Sequence, residues 1–342
     1  MGYLKSFFRF FFVVLLLSIV SFSTFIFYWL HKPLLEKNVY TDYYVSKGSS
    51  FSKIAYDLSK EKIISFPKLF ILYSNFLNMT HTIKYGTYHF TDNDYPISIL
   101  NKLVSGDTVL MKVTLPEGLN IYQMAEKLEG YFPSIHKDQW LHYFAEPSLI
   151  QILELKASLQ NIEGFLFPET YFFDPHPDPE FMVKNILTMF KKNVTSALFD
   201  KAKAMGLSPI QFITLASIIE KETSIESERK MVAGVYWNRI KKHMKLQADP
   251  TVIYGIWPRY NGSLTKKDLV TPTPYNTYTM YGLPPGPIAN PGLNSILATL
   301  EPAKTEAIFF VATGHGGHIF TKTLKEHNMA VRNYIRYLRS KH

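Results

Sequence analysis

The sequence predicts an α+β protein: an N-terminal membrane-crossing helix followed by a body that mixes helices with short strands. Three observations lead there. Residues 10–30, FFFVVLLLSIVSFSTFIFYWL, run 21 residues without a charge, enough for a helix to cross a hydrocarbon layer of about 30 Å. Beyond them, short alternating runs such as IKYGTYHF, 83–90, suit strands, while stretches with a 3.6-residue period suit helices. The 342 residues, 46% hydrophobic, can supply a sizeable core to roughly two domains.

The apolar run ends in FYWLHKP, with bulky residues where a signal peptidase requires small ones, so it reads as an uncleaved anchor. Lys5 and Arg9 precede it and Lys32 and Lys37 follow, which leaves the charge rule nearly balanced. A cytoplasmic tail of residues 1–9, with the bulk of the chain outside the plasma (inner) membrane, fits a signal anchor. Tyr28 and Trp29 then fall at the level of an outer aromatic belt. Lysine and arginine total 37 against 28 acids, a net charge of +9 that favours an anionic polymer or a membrane surface. An exported body without a nucleic-acid motif argues against nucleic acid. With no cysteine there is no disulfide, thiolate metal site or cysteine nucleophile. HExxH, GxSxG and phosphate-binding glycine loops are also missing, so metal proteolysis, serine hydrolysis and nucleotide chemistry drop out, and no cofactor is expected. His315 and His318 lack further ligands at familiar spacing and suit a hairpin turn better than a metal.

Two segments after the anchor repeat a pattern, KGSSFSKIAYDL from Lys47 and EGLNIYQMAEKL from Glu117. Phe51 matches Ile121, Ile54 matches Met124, Ala55 matches Ala125 and Leu58 matches Leu128. Each copy predicts a strand, a glycine turn and a short amphipathic helix. The pattern resembles the LysM module, found in proteins that grip N-acetylglucosamine polymers; plain scaffolding is the other reading. This LysM-like region is placed at 38–150. Within it, PISILNKLVSG predicts a short helix closing on Gly106.

The remainder, 151–342, forms the second expected domain. EGFLFPETYFF, 163–173, carries five aromatics suited to a core or to a sugar-stacking floor. In LSPIQFITLASIIEKET, Ser208 suits an N-cap, Pro209 the first helical position, and Gln211 completes a capping box. The helix that follows is apolar nearly all round, which predicts burial. At 100° per residue Glu220 falls near Ile213 and Ala216, Lys221 joins a polar strip with Thr214 and Ser217, and Glu222 points elsewhere. A carboxyl among apolar neighbours is harder to ionise and can act as a general acid. The alternative for Glu220 is a structural pair with Lys221, Arg229 or Arg239. A second helix is expected from about Glu226. Six prolines and three glycines between Thr271 and Gly292 predict a structured loop, followed by a helix to Leu300 and a glycine-turn hairpin. Arg332, Arg336 and Arg339 then share one face of a solvated final helix.

LASIIEKET, ADPTVIYG, TPYNTYTMYGLPPGPIANPG and GHGGHIF, in this order, resemble the YceG/MltG-type endolytic murein transglycosylases, membrane-anchored enzymes of the bacterial cell wall. The likeness runs over nearly the whole chain and is sharpest from Glu163 to Gly292. KLQADPT and the pair Tyr275–Asn276 also look like motifs of goose-type lysozyme relatives. The resemblance implies that Glu220 is the single catalytic acid/base of a non-hydrolytic cut between N-acetylmuramic acid and N-acetylglucosamine that leaves a 1,6-anhydro end. Tyr275 and Asn276 rank first as substrate-binding residues through this match. Thr277, Tyr278 and Gln247 offer hydroxyls, an aromatic face and an amide that suit acetamido sugars, a rigid proline-framed loop being the other reading for Thr277 and Tyr278. Glu222 is placed with them, while Glu163, Glu169, Glu222 and Asp249 are the fallback acids. The partners implied by the resemblance are peptidoglycan glycan strands, the membrane and wall synthases. A hydrolytic muramidase and a non-catalytic wall-binding protein are the alternatives.

Overall fold

A computed structural model describes residues 2–33, 35, 39–155 and 159–340, with side chains from residue 6 onward. Lys37, the side chain of Lys5, and residue 38, where the LysM-like region begins, lie outside the described residues. The fold is mixed α/β, in two compact units: Met1–Lys112 with Phe172–Pro177, and Val113–Tyr171 with Asp178–His342.

In the first unit, helix α1 (Gly2–Leu30) is apolar over Ser6–Leu30, with a mean hydropathy of 2.6 in its most apolar stretch, and is long enough to cross a membrane. Strand β1 (Tyr40–Val45) leads through Gly48 (φ +79°) into α2 (Phe51–Lys60), which turns Phe51, Ile54, Ala55 and Leu58 inward. Helix α3 (Pro67–Phe76) follows, then β2 (Gly86–Thr91), antiparallel to β1 from Tyr40↔Thr91 to Val45↔Gly86. Helix α4 (Pro96–Ser105) closes on Gly106 at φ +76°, as PISILNKLVSG predicts. Trp29 is buried in this unit's core and its indole N–H donates to the carbonyl of Ser65 at 3.2 Å. That corrects its expected place in an aromatic belt: the N–H has a protein partner. Tyr28 stays exposed, with the Lys32 ammonium 5.3 Å from its ring centre.

The second unit takes in β3 (Met111–Leu115) from Val113 and α5 (Ile121–Tyr131), separated by Gly118 at φ +75°. Ile121, Met124, Ala125 and Leu128 face inward, so both copies of the repeat have the expected local form but pack into different units. Helices α6 (Lys137–Phe144) and α7 (Pro147–Ile150) precede β4 (Glu169–Phe173), where Thr170 Oγ1 lies 3.1 Å from Thr114 Oγ1. Of the five aromatics, Phe165, Phe167, Tyr171 and Phe173 are core and Phe172 is exposed. Then come α8 (Pro179–Asn193), α9 (Ser196–Ala204), α10 (Pro209–Glu222), α11 (Glu226–Lys241), α12 (Asp249–Gly255) and α13 (Lys266–Val270). The proline-rich loop leads to α14 (Leu293–Leu300), the hairpin β5 (Phe309–Ala312) and β6 (His318–Thr321), and α15 (Leu324–Ser340). Gly314, Gly316 and Gly317 turn the hairpin at positive φ, and His318 Nδ1 is 2.7 Å from Glu228 Oε2.

Helix α10 is the centre of this unit, packed by α9, α11, α12 and α14. Ser208 Oγ accepts the Gln211 N–H at 3.3 Å and Gln211 Oε1 accepts the Ser208 N–H at 2.9 Å, which is the predicted capping box. Every residue from Phe212 to Ile219 is buried, including Thr214 and Ser217. The expected polar strip is therefore not a wet face. Each hydroxyl donates to its own helix backbone at 2.7 Å, and Ser217 Oγ also accepts the Ile288 N–H at 3.1 Å, so burial leaves neither unpaired.

Candidate active site

The buried run of α10 carries Glu220 to the helix end with its side chain only 6% exposed. Two donors meet it there. The Gly292 N–H, at the N-cap of α14, donates to Oε2 at 3.1 Å, and an Arg229 guanidinium nitrogen from α11 lies 3.4 Å from Oε1. A helix N-terminus and a guanidinium both favour negative charge, so the carboxylate is met by fixed donors when it forms. The structural pairing with Arg229 and a poorly hydrated carboxyl thus occur together.

A second carboxyl shares this cation. Glu117 Oε2 lies 3.6 Å from the same Arg229 nitrogen, and its side chain is 45% exposed. Its carboxyl packs over Gly292 so closely that a Cβ at 292 would collide with it. The turn bearing Glu117 is clipped in place: Gly118 N–H donates to Asn290 O, and Asn290 N–H to Leu119 O, both at 2.9 Å. Lys221 Nζ donates to Gly118 O at 2.9 Å. Burial, and next the charge of Glu220, push the Glu117 carboxyl above its ordinary pKa, while Arg229 opposes them. Burial lowers that of Lys221 against the pull of Glu220 and Glu163.

Asn290 ties this site to the next. Its amide nitrogen donates to Leu119 O at 2.9 Å and to Glu163 Oε1 at 3.2 Å, and its oxygen accepts the Leu166 N–H at 2.9 Å. Burial pushes Glu163 up to about 8, against hydrogen bonds from Ile121, Tyr254 and Gly164. Glu163 and Tyr275 line a cavity of about 360 Å³ with Asn161 and Pro287, and Tyr275 packs 4.7 Å from the Tyr254 ring.

The remaining predicted residues gather elsewhere. Glu222, two positions beyond Glu220 and so turned about 200° away, lines a cavity of about 480 Å³ with Gln247, Asp249 and Tyr278. Burial pushes Glu222 up to about 7, opposed by the Tyr236 hydroxyl that donates to it at 2.6 Å. Tyr278 donates to Asp249 at 2.5 Å, and the Gln247 backbone N–H to Thr277 O at 3.2 Å. Asn276 is fully buried, its amide donating to the carbonyls of Asp268, Leu269 and Thr271. Thr277 Oγ1 accepts the Ala248 N–H and meets Thr251 Oγ1 at 2.9 Å. These two frame the loop, whereas Tyr275, Gln247 and Tyr278 reach cavities. Glu169 is exposed on β4.

Sequence reasoning missed Glu117, Asn290 and Gly292. A readable signal existed for Glu117: the aligned repeats put Lys47 and Glu117 at the same offset, a charge reversal before the glycine turn that the two copies share. Among the described residues no group of three or more His, Cys, Asp or Glu is arranged to hold a metal.

At the end of α10 a shielded carboxyl is thus held by an arginine and a helix N-terminus beside a second acid. The chain belongs to the YceG-like family, whose profile matches residues 43–333. A relative from Bacillus subtilis (strain 168), named endolytic murein transglycosylase, is 34% identical over 307 residues, covering 85% of this chain and 84% of the relative. One of the same name from Streptococcus pneumoniae serotype 2 (strain D39) is 27% identical over 319 residues, 85% of this chain but only 58% of the relative. The crystal structure of a YceG-like protein from Listeria monocytogenes matches with a TM-score of 0.58 and 32% identity, over 85% of this chain and 98% of that one.

Proposed function

We propose that this chain is an endolytic murein transglycosylase that cuts the β-1,4 bond between N-acetylmuramic acid and N-acetylglucosamine without water, with Glu220 as its acid and base. The observation that carries the reading is the Glu220 carboxyl itself, 6% exposed and met by the Gly292 N–H and Arg229. Protonated Glu220 gives its proton to the glycosidic oxygen as the C1–O bond breaks. The muramoyl C6 hydroxyl then bonds to C1 and returns its proton to Glu220, so the residue ends as it began. Between those steps the two donors stabilise the carboxylate that has appeared, an interaction stronger in the transition state than at rest.

In this reading Tyr275, Gln247, Tyr278 and Glu222 contact sugar or acetamido groups, while Asn276 and Thr277 hold the loop that presents them. Residues 10–30 anchor the chain in the plasma membrane after a short cytoplasmic tail, 1–9. The LysM-like region, 38–150, grips glycan and lends Glu117 to the site, while 151–342 carries Glu220. Cleavage near the membrane would end nascent strands, with wall synthases as partners. Product masses after incubation of the full chain with uncrosslinked glycan test the reaction: 1,6-anhydro ends, one water lighter than reducing ends, are expected.

Glu117 favours one second reading. Hydrolysis needs another carboxylate to activate water, and Glu117 is the acid that shares Arg229 with Glu220. Reducing ends alone among the products would select it.

A further inference from the structure

The outer end of α1 is built into the first unit. Trp29 and Leu30 are core residues, and the Phe25 ring, five residues earlier, lies 5.8 Å from the ring of Phe66. At 1.5 Å per residue Phe25 sits about 7 Å inside the helix end. If α1 crosses a bilayer over Ser6–Leu30, Phe66 therefore stands at the boundary of headgroups and acyl chains.

What surrounds Phe66 suits that depth. It caps the N-terminus of α3 at φ +51°, a left-handed conformation unfavourable for a bulky residue, yet it is 56% exposed and gains little burial in return. Along α3, Phe70 and Ser74 face the core, while Leu72 and Phe76 are 66% and 81% exposed. An ordinary surface helix turns charged groups outward at such positions. Residues 60–76 contain three lysines, Lys60, Lys62 and Lys68, against one acid, Glu61, and all three are exposed. An apolar face with a basic margin, touching a membrane-crossing helix, matches an anionic lipid surface.

We propose that the face of α3 bearing Phe66, Leu72 and Phe76 inserts into the outer headgroup layer of the bilayer that α1 crosses, with the neighbouring lysines on anionic phosphates. The first unit is then docked on the membrane instead of tethered above it. The inference rests on reading α1 as a membrane span.

The native chain has no cysteine, so single labels need no background removal. Leu16→Cys in α1, Leu72→Cys and Phe76→Cys on α3, and Lys53→Cys on α2 are spin-labelled in the full chain. The labelled chains are reconstituted in phosphatidylcholine vesicles with and without phosphatidylglycerol. Collision rates with oxygen and with an aqueous nickel chelate are compared. The oxygen-to-nickel ratio at 72 and 76 should be several-fold above that at 53 and approach that at 16, and should rise with phosphatidylglycerol. Ratios at 72 and 76 equal to that at 53, with 16 in lipid, overturn the docking alone. A ratio at 16 equal to that at 53 removes the span and the docking with it. Spin–spin broadening at 72 or 76 assigns the face to a second copy and likewise overturns the proposal.

Discussion

Replacing Glu117 with glutamine removes one negative charge and keeps the side chain's size. Both carboxyls reach the same Arg229 nitrogen, at 3.4 and 3.6 Å, so the two contacting oxygens are at most about 7 Å apart. At that separation and an effective dielectric constant near 20, two unit charges repel by about 2 kcal/mol. Glu117 is nearly half exposed, and solvent screening reduces this to about 1 kcal/mol, about a fivefold factor in an equilibrium constant. Of the charges facing Glu117, Glu220 and Glu226 favour its keeping the proton and Arg229 favours losing it. Without Glu117, Arg229 is no longer shared and acts on Glu220 alone, against proton donation to the leaving oxygen. The value of kcat/KM at neutral pH, followed by release of anhydro ends, should fall about fivefold. Glu117→Asp should restore most of the wild-type value. An unchanged kcat/KM would refute the electrostatic role.

Three further outcomes follow from the same contacts. Gly292 has φ −74°, which alanine tolerates, but the new Cβ would displace the Glu117 carboxyl. Gly292→Ala should therefore leave stability within about 1 kcal/mol, reproduce the loss of activity of Glu117→Gln, and add little to it in the double variant. Glu222, pushed up to about 7, binds more protons folded than unfolded between its ordinary value and 7, so its contribution to stability falls as pH rises through that window. Glu222→Gln, compared with wild type by denaturant unfolding, should gain up to about 3 kcal/mol in relative stability between pH 4 and 8; an unchanging difference would count against burial as the cause. Asn290→Ala leaves the buried Leu166 N–H and a Glu163 oxygen without their partner and should lower stability by about 3 kcal/mol.

The elements were readable wherever a signal is local. The capping box at Ser208, the glycine at 106 and the inward faces of both repeat copies depend on a few adjacent residues, and the structure has them as expected. Burial of Thr214 and Ser217 was not readable, because hydroxyls that bond their own helix lose their polarity only in context. Nor could spacing bring Glu117 to Glu220, 103 positions later in the chain, since that approach depends on Asn290 bridging the turn at Gly118. Residue type and family likeness put Glu220, Glu222 and Tyr275 in one site, although helical spacing already turned Glu222 away from Glu220. The geometry of α10 sends Glu222 to a different cavity from that of Tyr275, and neither cavity has Glu220 in its wall.

The proton carried by Glu220 is tested most directly by replacing that residue with glutamine in the full chain and following anhydro-end formation on uncrosslinked glycan, with substrate binding measured in parallel. Glutamine keeps an oxygen for the Gly292 N–H but has no proton to transfer, so turnover should fall by about 10²–10⁴-fold while glycan affinity stays near wild type. Anhydro ends formed by the variant at the wild-type rate would contradict the account.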